Sequence, residues 1–171
     1  MMRLATILFT YVLWSVAPTA VADQNRTPTE YEKVDTFVNE ALGLPVVESL
    51  ANLRKIGLVT REKVRVIPNK HDPKQDDEIR ILQFDGLAIK AYFPARNYGH
   101  GIIAGVTVTK PQWKLRHGLN VGVMAKAVES VLGKPDERDS DRMMYCGDVV
   151  CGTFFLHGNR VIRVVFEGGV D

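Results

Sequence analysis

Two runs of alternating apolar and polar residues, joined by a tight turn, constrain the fold of this chain most strongly. The runs cover 79–84 and 87–93, and the dipeptide Asp85-Gly86 between them is typical of a type I′ hairpin turn. Similar alternation recurs over 63–67 and over 102–109. A period of two places one side of each strand in a core, so these segments predict an antiparallel meander of four strands.

Three other segments carry apolar residues at helical spacing. The first begins at the capping sequence 27–30, which has proline at the first helical position, and it ends at Gly43. The second covers 45–57. The third covers about 121–132, and Gly133 ends it.

The last part of the chain completes the predicted sheet. Segments 143–146, 151–157 and 160–166 have the composition of strands, and the charged run 136–142 is typical of a solvated turn. We therefore predict an α+β fold in which helices pack on one face of an antiparallel β-meander, in the order αα-ββββ-α-βββ.

Residues 1–22 have the pattern of a secretory signal peptide, with a positive charge near the start, an apolar run over 4–16 and a small residue at Ala22. Cleavage is expected between Ala22 and Asp23, which leaves 23–171 as a single domain in the periplasm or outside the cell. The alternative is a membrane anchor, but the run is shorter than the roughly 20 residues that a spanning helix needs.

The composition excludes several classes of function. The formal net charge of +2 is too small for an electrostatic footprint that binds nucleic acid or an anionic membrane. The chain is 46% hydrophobic and 25% charged, as in an ordinary globular protein. Since the mature chain has no further segment that could span a membrane, another protein is the expected partner.

The two cysteines, Cys146 and Cys151, are expected to form a disulfide. An exported protein meets an oxidising compartment, and the bridge would close a turn between two strands. A redox pair is the alternative, but the spacing is C-x4-C and not the C-x-x-C of disulfide oxidoreductases. Because His157 alone would not complete a metal site, none is predicted.

The residue types that carry catalysis do not form a recognised pattern. The four histidines form no i, i+4 pair, and no G-x-S-x-G elbow is present. The acidic residues over 76–78 and 139–141 are typical of solvated turns. We therefore expect neither a cofactor nor enzymatic activity.

Aromatic and basic residues near the strand ends are the candidate binding residues, because such side chains commonly anchor protein interfaces. All but one lie in the loops on either side of the 102–109 strand, so two patches about 25 Å apart are expected, at roughly 3.4 Å per residue. Trp113 has an alternative role as a cover for one end of the core, and the histidines could be ordinary surface residues. The candidates are Tyr92, Tyr98, His100, Trp113, Arg116 and His117.

The segment 113–135 reads WKLRHGLNVGVMAKAVESVLGKP, in which two glycines precede an amphipathic helix that ends in L-G-x-P. This pattern resembles the bacterial envelope proteins built like the β-lactamase-inhibitor protein and the outer-membrane-assembly family SmpA/OmlA. The resemblance implies a helix layer on an antiparallel meander, and binding of another protein without chemistry. Unlike the lipoprotein branch, this chain has no lipidation cysteine near the cleavage site. The positions that carry the resemblance are Gly118, Gly122, Leu132, Gly133 and Pro135.

These observations favour an exported, periplasmic protein-binding module of inhibitor or immunity type, which acts by surface complementarity on a secreted toxin or hydrolase. Two alternatives stay open. One is an accessory protein in envelope assembly or structure. The other is a small hydrolase whose site is not recognisable from the sequence.

Overall fold

A computed structural model describes residues 26–44, 47–97 and 99–168. Within these ranges the chain adopts an α+β fold, as the patterns predict, with three α-helices and a nine-stranded antiparallel sheet. The predicted signal peptide and its cleavage site lie outside the described residues. No helix in the described ranges is long and apolar enough to cross a membrane.

The elements follow one another closely along the chain. The helices are α1 (Pro28–Glu40), α2 (Leu50–Lys55) and α3 (Ala125–Leu132). In the sheet the strands lie in the order β2-β3-β4-β5-β9-β8-β7-β6, and β1 pairs with the first residues of β5. The strands are β1 (Val47–Ser49), β2 (Arg61–Pro68), β3 (Asp76–Phe84), β4 (Leu87–Phe93), β5 (His100–Val108), β6 (Glu137–Arg138), β7 (Arg142–Cys146), β8 (Val150–His157) and β9 (Arg160–Gly168).

The first helix begins where its capping sequence predicts. The Thr27 hydroxyl accepts a hydrogen bond from the Glu30 N–H at 3.3 Å, and the Glu30 carboxylate accepts one from the Thr27 N–H at 3.0 Å. Pro28 occupies the first helical position, where its missing N–H is not needed. The side of α1 that carries Val34 and Phe37 is buried.

The second predicted helix is partly replaced by a strand. The first two positions of the range 45–57 lie outside the described residues, the next three form β1, and α2 covers six residues after them. Val47 of β1 pairs with Ile102 of β5. Ser49 then accepts a hydrogen bond from the Asn52 N–H at 3.1 Å and caps α2. Backbone pairing with a strand distant in sequence thus overrides the local helical spacing.

The third helix begins later than the sequence predicts. The segment before it approaches β9, where the Gly122 N–H donates to the Val161 carbonyl at 2.7 Å and the Val161 N–H donates to the Val123 carbonyl at 2.9 Å. The chain can follow this path because Gly122 adopts a φ of +100°, a conformation that a residue with a side chain would disfavour. The helix starts only when this pairing ends.

The order of the elements also differs from the predicted αα-ββββ-α-βββ. The observed order is α-β-α-ββββ-α-ββββ, because β1 lies between the first two helices and β6 precedes β7. In β6, Glu137 pairs with Met144 and Arg138 with Met143, where the charged run predicts a solvated turn. Strands of two or three residues have no measurable periodicity, so only pairing defines them.

Burial alternates along the strands and gives the sheet a core face and an outer face. On β8, Phe154 and Leu156 are buried, whereas Thr153 and Phe155 are half-buried. The cross-strand register places the other buried apolar residues of the sheet on the same side as Phe154. This core face includes Leu82, Ile89, Val108, Met143, Tyr145, Val164 and Phe166.

The buried side chains of the helices join this core. The Phe37 ring of α1 stacks on Phe154 with 5.9 Å between the centroids, and it meets Phe166 edge-on at 5.6 Å. Leu53 of α2 and Val128 of α3 belong to the same buried cluster. The aromatic contacts therefore fix α1 over β8 and β9.

The predicted disulfide between Cys146 and Cys151 is confirmed. The two residues lie directly opposite each other at the ends of β7 and β8. The turn that they close is held against α1, because the Asp148 N–H donates to the Asp35 carboxylate at 3.0 Å and the Tyr31 hydroxyl donates to the Asp148 carboxylate.

Candidate functional site

The outer face of the sheet is lined by side chains that are exposed or only half-buried. On β4 the outward side chain of Lys90 is exposed and that of Tyr92 is half-buried. On β9 Glu167 is exposed and Val165 is half-buried. Asp77, at the start of β3, is an exception with 2% exposure. The face therefore offers mixed apolar and charged contacts to a partner.

One cross-strand row on this face, here called the outer row, continues across five strands. Arg65 on β2 pairs with Ile79 on β3, and Ile79 pairs with Tyr92 on β4. Tyr92 pairs with Ile102 on β5, which pairs with Val47 on β1. The exposed fraction is 37% at Ile102 and 50% at Val47. With about 4.8 Å between neighbouring strands, the row extends for about 19 Å and joins four apolar side chains.

Tyr92 is fixed in this row by a buried carboxylate. Its hydroxyl donates a hydrogen bond to Asp77 at 2.5 Å, and Asp77 also accepts from the Asn69 side-chain amide at 2.9 Å and the Ala95 N–H at 2.8 Å. The bond from Tyr92 is the main cause that lowers the pKa of Asp77, and it raises the pKa of Tyr92. The tyrosine ring is therefore held in place before any partner arrives.

A basic groove continues the outer row toward the edge of the sheet. It has a volume of about 310 Å³, with Ile79 and Ile81 among its lining and with Lys63, Arg65 and Lys90 around them. Lys63 pairs with Ile81, and Ile81 pairs with Lys90, so the cations lie on either side of an apolar position. None of the three cations forms an ion pair within the described part of the chain.

Most of these residues are not among the candidates that the sequence predicts. The alternation over 63–67 and 79–84 could have assigned Lys63 and Ile79 to faces of their strands. The register between strands, and above all the attachment of β1 beside Ile102, is set by contacts distant in sequence. No local pattern therefore predicts the outer row as a unit.

Two of the six predicted binding residues lie on the outer face. Tyr92 belongs to the outer row, and His100 is the exposed first residue of β5, two positions before Ile102 on the same side. His100 pairs with Ser49 of β1. The predicted residue Tyr98 lies outside the described residues. This end of the sheet thus combines the row with one predicted histidine.

Trp113 lies at the opposite end of the sheet from Tyr92. Its indole N–H donates to the Asp85 carbonyl at 2.7 Å, and its ring meets Phe84 edge-on at 5.8 Å. Tyr92 binds Asp77 near the start of β3, and Trp113 binds Asp85 directly after the end of that strand. These two positions are eight residues apart, or about 27 Å at roughly 3.4 Å per residue. Trp113 therefore covers one end of the core, and it forms no single patch with Tyr92.

Arg116 and His117 lie beside the C-terminal end of α1. Arg116 forms an ion pair with Glu40, and its N–H donates to the Ala41 carbonyl at 2.8 Å. His117 is exposed, and its ring centroid is 6.4 Å from that of Phe37. Since Phe37 belongs to the core on the helix side, these two residues are not part of the outer row.

A small apolar cavity lies between the end of α1 and β5. Its volume is about 50 Å³, and its lining includes Glu40, Ile103 and Phe166 but neither His100 nor His117. The cavity therefore gives neither histidine a pocket. In the described ranges no three residues among His, Cys, Asp and Glu are placed to hold a metal ion together.

No protein-family model matches this chain, and no curated protein or solved structure is significantly similar to it. The resemblance of segment 113–135 to envelope proteins therefore stays an expectation from the sequence.

Proposed function

We propose that this protein is an exported, periplasmic protein-binding module of inhibitor or immunity type, which blocks its partner by surface complementarity and without catalysis. The observation that carries the proposal is the outer row. Ile79, Tyr92, Ile102 and Val47 adjoin one another across four strands on the outer face. Apolar and aromatic side chains that lie together at the surface are typical of protein interfaces.

The geometry of the row suits a partner that is bound without rearrangement. A hydrogen bond from its hydroxyl to Asp77 holds the Tyr92 ring, so little side-chain freedom is lost when a partner covers it. Tyrosine is also among the residues that carry most of the binding energy at interfaces. His100 and the basic groove place polar and charged groups around the apolar centre, as the polar rim of an interface requires.

The proposal assigns different roles to the two faces of the sheet. The helices pack on the core face, and the outer face stays open for the partner. The same division is implied by the resemblance to the β-lactamase-inhibitor-like and SmpA/OmlA-like families. Export is supported by the pattern of residues 1–22 and by the disulfide, because disulfides persist in oxidising compartments.

A pair of charge substitutions in the outer row tests the binding surface. The variant Val47→Asp/Ile102→Asp places two carboxylates in the apolar row. The matched control Leu58→Asp/Val149→Asp makes the same change at residues that are 85% and 68% exposed and lie outside the row. The wild-type chain first serves as bait in an envelope extract, and the affinity of each variant for the captured protein is then measured by calorimetry.

We expect the row variant to lose at least about tenfold in affinity and the control to keep its affinity, because buried charges at an interface core are costly. The captured protein should also lose its activity in a one-to-one complex with the wild type. Equal affinity of both variants, or failure of the wild type to bind any envelope protein, would overturn the proposal. N-terminal sequencing of the periplasmic protein should begin at Asp23.

A further inference from the structure

Among the residues that the structure describes, strand β2 forms a free edge of the sheet along its whole length. It is eight residues long, it pairs with β3 on one side, and it is the last strand in the sheet order. Val64 and Val66 are 48% and 58% exposed although they lie on the core face, where Val64 pairs with Arg80 of β3. The core therefore ends before the edge strand, and an extended segment could pair with the backbone of β2.

The two faces of β2 have different chemistry. Arg61, Lys63 and Arg65 are exposed and lie on the outer face. None of the three forms an ion pair within the described ranges. On the core face, Glu62 forms ion pairs with Arg54 and Arg80, and the two exposed valines follow it along the strand. Over 63–66 an added strand would therefore meet cations on one face and aliphatic side chains on the other.

A second copy of this chain is a poor occupant of this edge. In a symmetric antiparallel pair, residues of one face meet residues of the same face in the partner copy. Arg61, Lys63 and Arg65 of one copy would then face the same three residues of the other. Like charges directly opposite each other destabilise a pair of strands. A carboxylate at each of these positions would instead be attracted to the cations.

We propose that β2 binds an extended segment of a protein partner in which acidic and aliphatic side chains alternate. The segment joins the sheet as a new edge strand. Its acidic side chains lie beside Lys63 and Arg65, and its aliphatic side chains cover Val64 and Val66. The proposal rests on the proposed function and specifies which part of the partner reaches this side of the surface.

Synthetic peptides test the chemistry of the occupant directly. The probe is a capped peptide of alternating glutamate and valine with the length of β2, titrated into the full chain by calorimetry and by NMR. One control peptide has the same composition with the glutamates and valines in separate blocks. A second has lysine in place of glutamate. A third carries N-methyl groups on alternate backbone nitrogens, which removes donors that a new strand needs.

We expect the alternating acidic peptide to bind, with amide shifts centred on 61–68, and the three controls to bind at least about tenfold more weakly. Higher salt should weaken the binding, because the charges at this edge are exposed. The cations also suit a simpler role, since charged edge strands prevent aggregation. Absence of binding, or equal binding of the acidic and N-methylated peptides, would leave only that role and overturn the proposal.

Charge reversal on the strand supplies the second test. The variant Lys63→Glu/Arg65→Glu should bind the acidic peptide at least about tenfold more weakly and should gain affinity for the lysine peptide. The matched control Lys114→Glu/Lys126→Glu makes the same change in charge at exposed lysines outside β2 and should keep the affinity for the acidic peptide. Equal loss in both variants would indicate general attraction to a cationic protein and would contradict strand addition.

The two proposals fail in different ways. If an envelope protein binds the wild type, loses affinity for the row variant and binds the Lys63→Glu/Arg65→Glu variant unchanged, the proposed function stands and the role of β2 is wrong. If no envelope protein binds the wild type but the alternating peptide does, the proposed function falls while the chemistry of the edge is as stated.

Discussion

A substitution of either of two adjacent phenylalanines on β8 tests the division of the sheet into two faces. Phe154 is fully buried on the core face, where its ring stacks on Phe37 at 5.9 Å and meets Tyr145 edge-on at 5.9 Å. Phe155 points to the outer face, where it is half-buried with the Arg163 guanidinium 3.8 Å from its ring centroid. The two variants thus delete the same atoms from opposite sides of one strand.

The expected losses differ by at least a factor of about two. Phe154→Ala removes a ring from a packed core and leaves a cavity, which typically lowers the free energy of unfolding by about 3–5 kcal/mol. Phe155→Ala removes a surface contact with Arg163, worth about 0.5–1 kcal/mol, and half-buried apolar area worth roughly 1 kcal/mol. For a chain of this size each kcal/mol lowers Tm by about 3 °C, so the shifts should be about 12 °C and at most about 6 °C.

Urea unfolding followed by circular dichroism, together with calorimetry for Tm, measures both losses under conditions that keep the disulfide intact. The wild type and both variants should unfold in one transition with similar m-values. Equal losses, or a larger loss for Phe155→Ala, would refute the assignment of the core face. The outer row lies on an open face only if that assignment holds, so this pair of variants should be measured first.

Three further predictions concern single features of the fold. Replacing Cys146 and Cys151 by serine should cost about 2 kcal/mol in urea unfolding, a small loss because the disulfide closes a short loop. The hydrogen bond from Tyr31 to the carboxylate of the β7–β8 turn raises the pKa of Tyr31 to about 12. The bond therefore stabilises the folded state fully below about pH 10, and this stabilisation is lost toward pH 12. The difference in stability between the wild type and Tyr31→Phe should shrink across that range. Gly101→Ala should cost about 1–3 kcal/mol because its Cβ would lie 2.6 Å from a phenylalanine ring of β4, whereas Gly105→Ala, with 3.4 Å to the nearest atom, should be close to neutral.

The hairpin of β3 and β4 could be predicted from the sequence because its determinants are local. The alternation defines both strands, and Asp85-Gly86 marks the position of the turn. Gly86 has a φ of +78°, which suits glycine, but Asp85 is not among the residues with positive φ, so the turn is not of the type I′ that the dipeptide predicts. The pairing of Phe84 with Leu87 follows directly from a two-residue turn. The start of α1 is equally local, since the capping box needs only four consecutive residues.

The elements that the sequence misassigned depend on distant partners. Residues 47–49 lie within a helical pattern, but they pair with β5 more than fifty residues later. Contacts distant in sequence also position the candidate residues of the 110–120 loop. Trp113 packs on Phe84 and Arg116 binds Glu40, so the loop that carries them follows the core instead of extending from it. Aromatic and basic residue types alone indicate candidates, but only the fold decides which of them face a partner.

The net charge of the chain conceals how its charges are arranged. A value of +2 averages over paired and unpaired groups, whereas Arg61, Lys63 and Arg65 lie along one edge and form no ion pair with any residue that the structure describes. Phosphates and carboxylates would both be attracted to these cations, so charge alone does not select a protein as the partner. The exposed Val64 and Val66 make the difference, because they alternate with the cations at the spacing of a strand. A partner that covers both faces of β2 must place charged groups beside the cations and aliphatic groups beside the valines, in alternation. A polypeptide strand can supply this alternation, whereas a nucleic-acid backbone cannot.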